Sequence, residues 1–150
     1  MKKKNKALAA IFLLAAVLLL TACGNVSYKD GTYTSQSAPY ESFEDDGEDL
    51  GNGYGEVTIT IKDGKITDCV FNTYELDGTL KDEDYGKVDG EIKNEAFYTV
   101  AQNAVKACEN YAQQLVAKND PDKVDAVTGA TINCDEFKEA VSGALKQARG

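Results

Sequence analysis

The sequence contains no histidine, and this absence narrows the chemistry that the protein can perform. Without an imidazole, a Ser–His–Asp triad cannot form, and zinc and haem sites lose their commonest ligand. Four cysteines are present, but no pair has the C-x-x-C spacing of zinc and redox motifs. We therefore expect neither a zinc or haem site nor a histidine-based catalytic group.

Acidic residues are absent from the first 22 residues, which have the pattern of an export signal. Four lysines precede an uncharged run of fourteen residues, from Ala7 to Leu20. That run is too short for a transmembrane helix, which needs about 20 apolar residues. It ends in Leu-Thr-Ala-Cys at 20–23, which resembles the lipobox of bacterial lipoproteins. The resemblance implies cleavage before Cys23 and lipidation of its thiol, and an ordinary signal peptide with an incidental cysteine is the alternative.

The export signal determines the predicted domain organisation. We expect a lipoprotein signal peptide at 1–22, a lipidated tether at 23–29 and one domain at 30–149. Because two acyl chains suffice for stable anchoring, the lipid on Cys23 would anchor the domain to the lipid bilayer, on the extracytoplasmic face of the cell membrane. Loss of the four leading lysines changes the formal net charge from −9 to −9 − 4 = −13. A surface this acidic disfavours nucleic acid as a partner.

Three cysteines remain after Cys23, namely Cys69, Cys108 and Cys134. An odd number cannot all pair within one chain, and an isolated cysteine commonly behaves as a small apolar residue. We interpret these residues as packing residues rather than ligands. If the thiol of Cys134 were exposed, it would lie near whatever binds at Thr131.

The segment from Pro39 to Gly55 is acidic and glycine-rich, with six carboxylates at 41–49. Oxygen ligands suit calcium, but their spacing here does not follow an EF-hand. We interpret the segment as a solvated loop and keep cation binding as the alternative.

Strand patterns occupy the first half of the domain. Residues 32–35 have strand-like composition, and residues 57–61 alternate between apolar and polar. Asp63-Gly64 predicts a two-residue hairpin turn into a return strand at 66–74. The apolar residues of that strand do not keep one parity, which indicates a bulge or burial on both faces. Residues 76–88 are predicted to form a long loop.

Two amphipathic helices are predicted in the second half. The first has an apolar stripe from Phe97 to Leu115, a cap at Asn94 or a residue just before it, and a stop at 119–121. Tyr98 and Tyr111 lie beside the centre of that stripe, where they either pack or face a ligand.

The second helix follows a strand-like segment around Val124. It has an apolar face from Phe137 to Ala148, and Asn133 with Glu136 resembles a capping box at its start. These elements predict an α+β fold, a small antiparallel sheet with two main helices packed on it.

The stretch 125–131, Asp-Ala-Val-Thr-Gly-Ala-Thr, lies directly before the second helix. Gly129 permits a tight turn, and the free amides of a helix start would stabilise a phosphate ester on Thr131. Asp125 can orient the loop through its amides or hold a cation. A plain helix entry, in which Thr128 and Thr131 satisfy backbone donors, explains the same residues.

This stretch resembles the flavinylation signature of the FMN-binding domain family. The family includes flavoprotein subunits of the Na⁺-translocating NADH:quinone reductase and of the Rnf complex, and lipoproteins of extracellular electron transfer. The matching positions are Asp125, Thr128, Gly129, Ala130 and Thr131. The similarity continues over Tyr28 to Ala148, including Asp-Gly-Thr-Tyr-Thr at 30–34 and Gly-Tyr-Gly at 53–55.

The resemblance implies a covalent cofactor. In the family the last threonine of the signature, here Thr131, is joined to the phosphate of FMN by a flavin transferase that uses FAD and Mg²⁺. The protein would then be an electron carrier rather than an enzyme with its own turnover, without catalytic residues or a metal of its own. It would take electrons from a membrane quinol or NADH dehydrogenase and pass them to external acceptors. The alternatives are a non-redox ligand-binding lipoprotein and a structural relative whose motif only caps a helix.

Overall fold

The structure is a computed structural model, and it describes residues 27–42 and 51–149. The predicted signal peptide, Cys23 and most of the acidic loop at 41–49 lie outside these ranges. The described residues have the predicted α+β fold, with a three-stranded antiparallel sheet and two long helices. Their helices are all too short or too polar to span a bilayer.

The sheet has the strand order β1-β2-β3, with β1 at Gly31–Gln36, β2 at Tyr54–Lys62 and β3 at Lys65–Tyr74. β2 lies in the centre and alternates as its sequence predicts, so its apolar side chains point into the core. Val57, Ile59 and Ile61 are all buried.

The hairpin between β2 and β3 forms as predicted. Asp63 and Gly64 have φ values of 52° and 72°, the left-handed pair that a type I′ turn requires. Thr60 pairs with Asp68 and Ile61 pairs with Ile66, so Thr67 is the extra residue of a β-bulge. The bulge confirms the prediction from the broken parity.

Helix α1 spans Glu95–Lys118 and packs against β3. The side chain of Asn94 caps its start by accepting from the Phe97 N–H at 3.0 Å, as predicted. At its end, Asn119 has a left-handed backbone and both donates to and accepts from the backbone of Ile66. The end of α1 is therefore fixed to the bulge.

Helix α2 spans Thr131–Arg149 and lies across β1 and β2. Its predicted apolar face is confirmed, with Phe137, Val141 and Ala144 fully buried. At its far end, the carbonyl of Ala148 accepts from the Lys29 N–H at 2.9 Å. Lys29, the last residue of the predicted tether, therefore contacts the last turn of α2.

Two local predictions are wrong. No strand forms around Val124; a 3₁₀ helix at Pro121–Lys123 precedes it, because Asp120 caps this turn and proline suits a first helical position.

Asn133 does not cap α2, since a turn at 127–130 starts the helix at Thr131. Asn133 is buried inside the helix and donates to the carbonyl of Ala104 at 3.1 Å.

Candidate functional site

An apolar cavity of about 580 Å³ lies between α1, the start of α2 and the loop after β3. This size falls within the range of roughly 300–1,000 Å³ that is usual for small-molecule sites. One wall is the N-terminal half of α1, which contributes Ala96, Phe97, Val100, Ala101, Ala104 and Val105.

The wall on α1 is part of the predicted apolar stripe, but it is not covered by the sheet. Leu115, near the C-terminal end of the stripe, is fully buried, whereas Val100 is 57% exposed. The stripe therefore has two roles: its C-terminal half packs in the core, and its N-terminal half lines the cavity.

The stretch that precedes α2 reaches the cavity through its last three residues, Gly129, Ala130 and Thr131. A turn closed by the Ala130 N–H and the Val127 carbonyl at 3.0 Å brings them there, and Gly129 has the left-handed φ of 79°. Thr131 is exposed and is the first residue of α2. Ala130 has no side-chain oxygen and cannot cap the first amides of the helix.

Tyr111 holds this turn in place from α1. Its fully buried hydroxyl donates to the Ala130 carbonyl at 2.9 Å and accepts from the Val127 N–H at 3.0 Å. Tyr98 has a similar structural role elsewhere, since its hydroxyl donates to the carbonyl of Glu83 in the loop after β3. Neither tyrosine lines the cavity.

Asp125 lies at the outer end of the stretch, away from the cavity lining. Its carboxylate is 84% exposed and accepts from the Lys118 ammonium group at 2.6 Å, a pairing that lowers the pKa of Asp125. Gln114 makes two further hydrogen bonds, to the backbone N–H and carbonyl of the same residue. The structure thus brings three of the five predicted site residues to the cavity and leaves Asp125 and Thr128 on the surface beside it.

Polar groups that sequence reasoning missed form the other side of the cavity, namely Thr73, Lys81, Tyr85 and Asn133. Lys81 is only 6% exposed, donates to the Gly51 carbonyl at 3.0 Å and lies 4.8 Å from the centre of the Tyr85 ring. Its backbone N–H bonds to the Thr73 carbonyl at the end of β3. No spacing in the sequence identifies Lys81 and Tyr85, because the path of the loop at 76–88 decides where they lie.

Glu136 is buried on α2 next to this polar side. Among the described residues, neither of its carboxylate oxygens has a hydrogen-bond partner. Burial raises the pKa of Glu136 to about 7, an effect that Lys81 opposes and Glu139 adds to.

The three thiols in the described ranges have the expected packing role. Cys108 and Cys134 are buried, Cys69 is half-buried, and none forms a disulfide. Burial raises the pKa of each thiol, that of Cys69 to about 12, so all three are protonated near neutral pH. Within the part of the chain that the structure describes, no three cysteine, aspartate or glutamate side chains are placed to share a metal ion.

The chain is similar to known proteins in both sequence and fold. The model of the FMN-binding domain family matches residues 51–146. The 15 kDa lipoprotein of Treponema pallidum is 30% identical over 141 residues, which are 92% of this chain and 89% of that protein. A crystal structure of a Clostridium perfringens protein has a TM-score of 0.56 at 24% identity and covers 81% of this chain and 88% of its own. That likeness supports the fold alone.

Proposed function

Because this chain belongs to the FMN-binding domain family, we propose that it holds FMN in the cavity between α1 and α2, attached through a phosphoester to Thr131. The observation that carries the proposal is the position of Thr131. Its hydroxyl belongs to an exposed residue at the edge of an apolar cavity and at a helix start without a side-chain cap.

The residues present fit both parts of this cofactor. The uncapped amides at the start of α2 and the helix dipole suit the phosphate. The apolar wall on α1, with Phe97 and Val100, suits an isoalloxazine ring, and Tyr85 extends that wall through an edge-to-face contact with the Phe97 ring, 6.3 Å between centroids. When bound, FMN supplies the electron-transfer chemistry, and the chain holds and orients it.

Access to Thr131 supports attachment by a separate flavin transferase that uses FAD and Mg²⁺. Gly129 and Ala130 place no bulky side chain beside the acceptor hydroxyl. Asp125 and Thr128 are exposed on the same stretch, where an approaching enzyme can contact them. We assign these two residues to recognition by the transferase rather than to contact with the bound flavin.

Lys29, at the end of the proposed tether, and Thr131, the proposed acceptor, lie at opposite ends of α2. Lys29, the end nearest Cys23 in sequence, bonds to Ala148, whereas Thr131 begins the helix. At about 1.5 Å per residue, a helix of 19 residues separates these ends by roughly 27 Å. The end of α2 that bears Thr131 therefore lies away from the point at which the tether joins the domain, which supports access of partners to the flavin.

We assign the protein to electron transfer on the extracytoplasmic side of the membrane. A membrane quinol or NADH dehydrogenase is the proposed donor, and external acceptors receive the electrons. A covalent bond has a clear advantage in that location, since free FMN lost outside the cell cannot be replaced.

Mass spectrometry of the full chain co-expressed with a flavin transferase tests the attachment. We expect an added mass equal to FMN less one water, located on the peptide that contains Thr131. Thr131→Ala should abolish it, whereas Thr99→Ala should retain it, since Thr99 is exposed on α1 outside the cavity lining. An unmodified Thr131 would contradict the proposal and favour a non-redox ligand-binding or structural lipoprotein.

A further inference from the structure

Glu136 is the buried charge next to the cavity for which the fold provides no hydrogen bond. Its side chain is 5% exposed, and neither carboxylate oxygen has a partner in the described part of the chain. A buried carboxylate without hydrogen bonds is costly and is uncommon in proteins unless it has a role. Attachment of the cofactor at Thr131 does not require this group.

The position of Glu136 relates it to the cavity. It lies one helical turn after Asn133, on the same face of α2, and Asn133 lines the cavity. Its Cβ is packed so closely against Gly55 of β2 that a methyl group on Gly55 would lie 3.0 Å away. The Cβ of Glu136 therefore lies against the sheet, and its carboxyl group is close enough to interact electrostatically with Lys81 on the polar side of the cavity.

The charged and titratable groups around Glu136 come from three directions. Lys81 from the loop after β3 favours its ionised form, whereas Glu139 from the next turn of α2 opposes it. Cys108 faces it from α1 as a protonated thiol. The sheet contributes Gly55 and Phe71, which do not titrate. With a pKa of about 7, the carboxyl group changes its protonation readily when the charge in the cavity changes.

We propose that Glu136 is the proton acceptor linked to reduction of the flavin in the adjoining cavity. This inference rests on the proposed function. The donor delivers two electrons, which stay on the flavin until they pass to the acceptor. The negative charge that they bring raises the proton affinity of Glu136, so its carboxylate binds one proton from solvent and becomes a carboxylic acid. On reoxidation the carboxylic acid returns that proton to solvent.

Potentiometric titration of the flavinylated protein as a function of pH tests the proposal. One additional proton per two electrons makes the dependence of the midpoint potential on pH steeper by ~30 mV per pH unit. For a two-electron couple this potential corresponds to a tenfold change in the equilibrium constant. We expect this extra slope in the wild type above pH 7, where oxidised Glu136 is ionised. Glu136→Gln should lose the extra slope, and Asp135→Asn, on the exposed side of the same helix, should keep it.

An infrared difference spectrum of the wild type gives a second measurement that needs no variant to fold. Reduction should produce the carbonyl band of a protonated carboxylic acid, and this band should shift when glutamate is labelled with ¹³C. If flavin is attached but the slopes of wild type and Glu136→Gln coincide and no band appears, this inference is wrong while the proposed function holds. If no flavin attaches to Thr131, both the proposed function and this inference are wrong.

Discussion

The hydroxyl of Tyr111 bonds to the carbonyl of Ala130 at 2.9 Å and thereby joins the middle of α1 to the turn that positions Thr131. The same oxygen accepts from the Val127 N–H, so one buried side chain satisfies both ends of the turn. Gly129 in that turn has a left-handed backbone. Because glycine can adopt many backbone conformations, the turn needs contacts such as these to keep a single one. Tyr111 is therefore a positioning residue for the attachment site.

Removal of the Tyr111 hydroxyl should weaken both the fold and the attachment of flavin. In Tyr111→Phe a partly buried N–H and a buried carbonyl lose their partner, which costs about 1–3 kcal/mol in the free energy of unfolding. Urea denaturation measures this loss, and mass spectrometry should show reduced flavin incorporation. In Tyr33→Phe, whose hydroxyl bonds to the Lys29 carbonyl beside the far end of α2, incorporation should equal that of the wild type. Equal incorporation in both variants would contradict a positioning role for Tyr111.

A larger side chain in the cavity should displace the isoalloxazine ring of FMN without breaking the phosphoester to Thr131. Ala104→Leu introduces a larger side chain from the wall on α1, so the ring is pushed toward solvent while the phosphoester remains. We expect normal flavin incorporation but stronger quenching of flavin fluorescence by iodide. Ala117→Leu, on an exposed part of the same helix, is the matched control and should leave quenching unchanged. Equal quenching in the two variants would mean that the ring does not occupy this cavity.

Substitutions of Asp125 and of its ion-pair partner Lys118 should have different effects on the rate of flavin attachment. If the exposed carboxylate contacts the transferase, Asp125→Asn should slow flavin incorporation about tenfold, equivalent to ~1.4 kcal/mol in the activation free energy. Lys118→Met leaves the carboxylate available and should retain a near-normal rate, although it removes the 2.6 Å pairing. A time course with purified transferase measures both rates. An equal loss in both variants would show that the ion pair only positions the loop.

The stability of the protein without flavin should decrease over a defined pH range because of Glu136. Burial raises the pKa of this carboxyl group from 4.5 to about 7, so between these values the folded state binds more protons than the unfolded state. The free energy of unfolding therefore falls as pH rises from 4.5 to 7, by at most about 1.4 kcal/mol per pH unit from this group. Above pH 7 its contribution is constant.

Urea midpoints of wild type and Glu136→Gln across that range isolate the contribution of Glu136, since all other carboxyl groups are shared. The difference in stability between the two proteins should change with pH between 4.5 and 7 and then level off. A difference that is independent of pH would show that Glu136 titrates normally.

Local patterns in the sequence predicted most of the architecture. Alternation in β2, the Asp63-Gly64 turn, the cap at Asn94 and the apolar faces of both helices all appear in the structure. These features depend on neighbouring residues, so spacing alone reveals them. The misplaced start of α2 has the opposite cause: a turn held by a distant tyrosine begins the helix before the residue that resembles a cap.

The sequence by itself determined the α+β fold and singled out the stretch at 125–131 with its last threonine, because each depends on residues close together in the chain. Only the tertiary structure decided which residues surround that threonine. Lys81 and Tyr85 reach the cavity from an irregular loop, and Glu136 lies beside it on a part of α2 that resembled a helix cap. The division of the α1 stripe into core and cavity wall is also a tertiary result. Hydrophobic periodicity shows that a helix face is apolar, but whether a sheet or a ligand covers it depends on where the sheet ends.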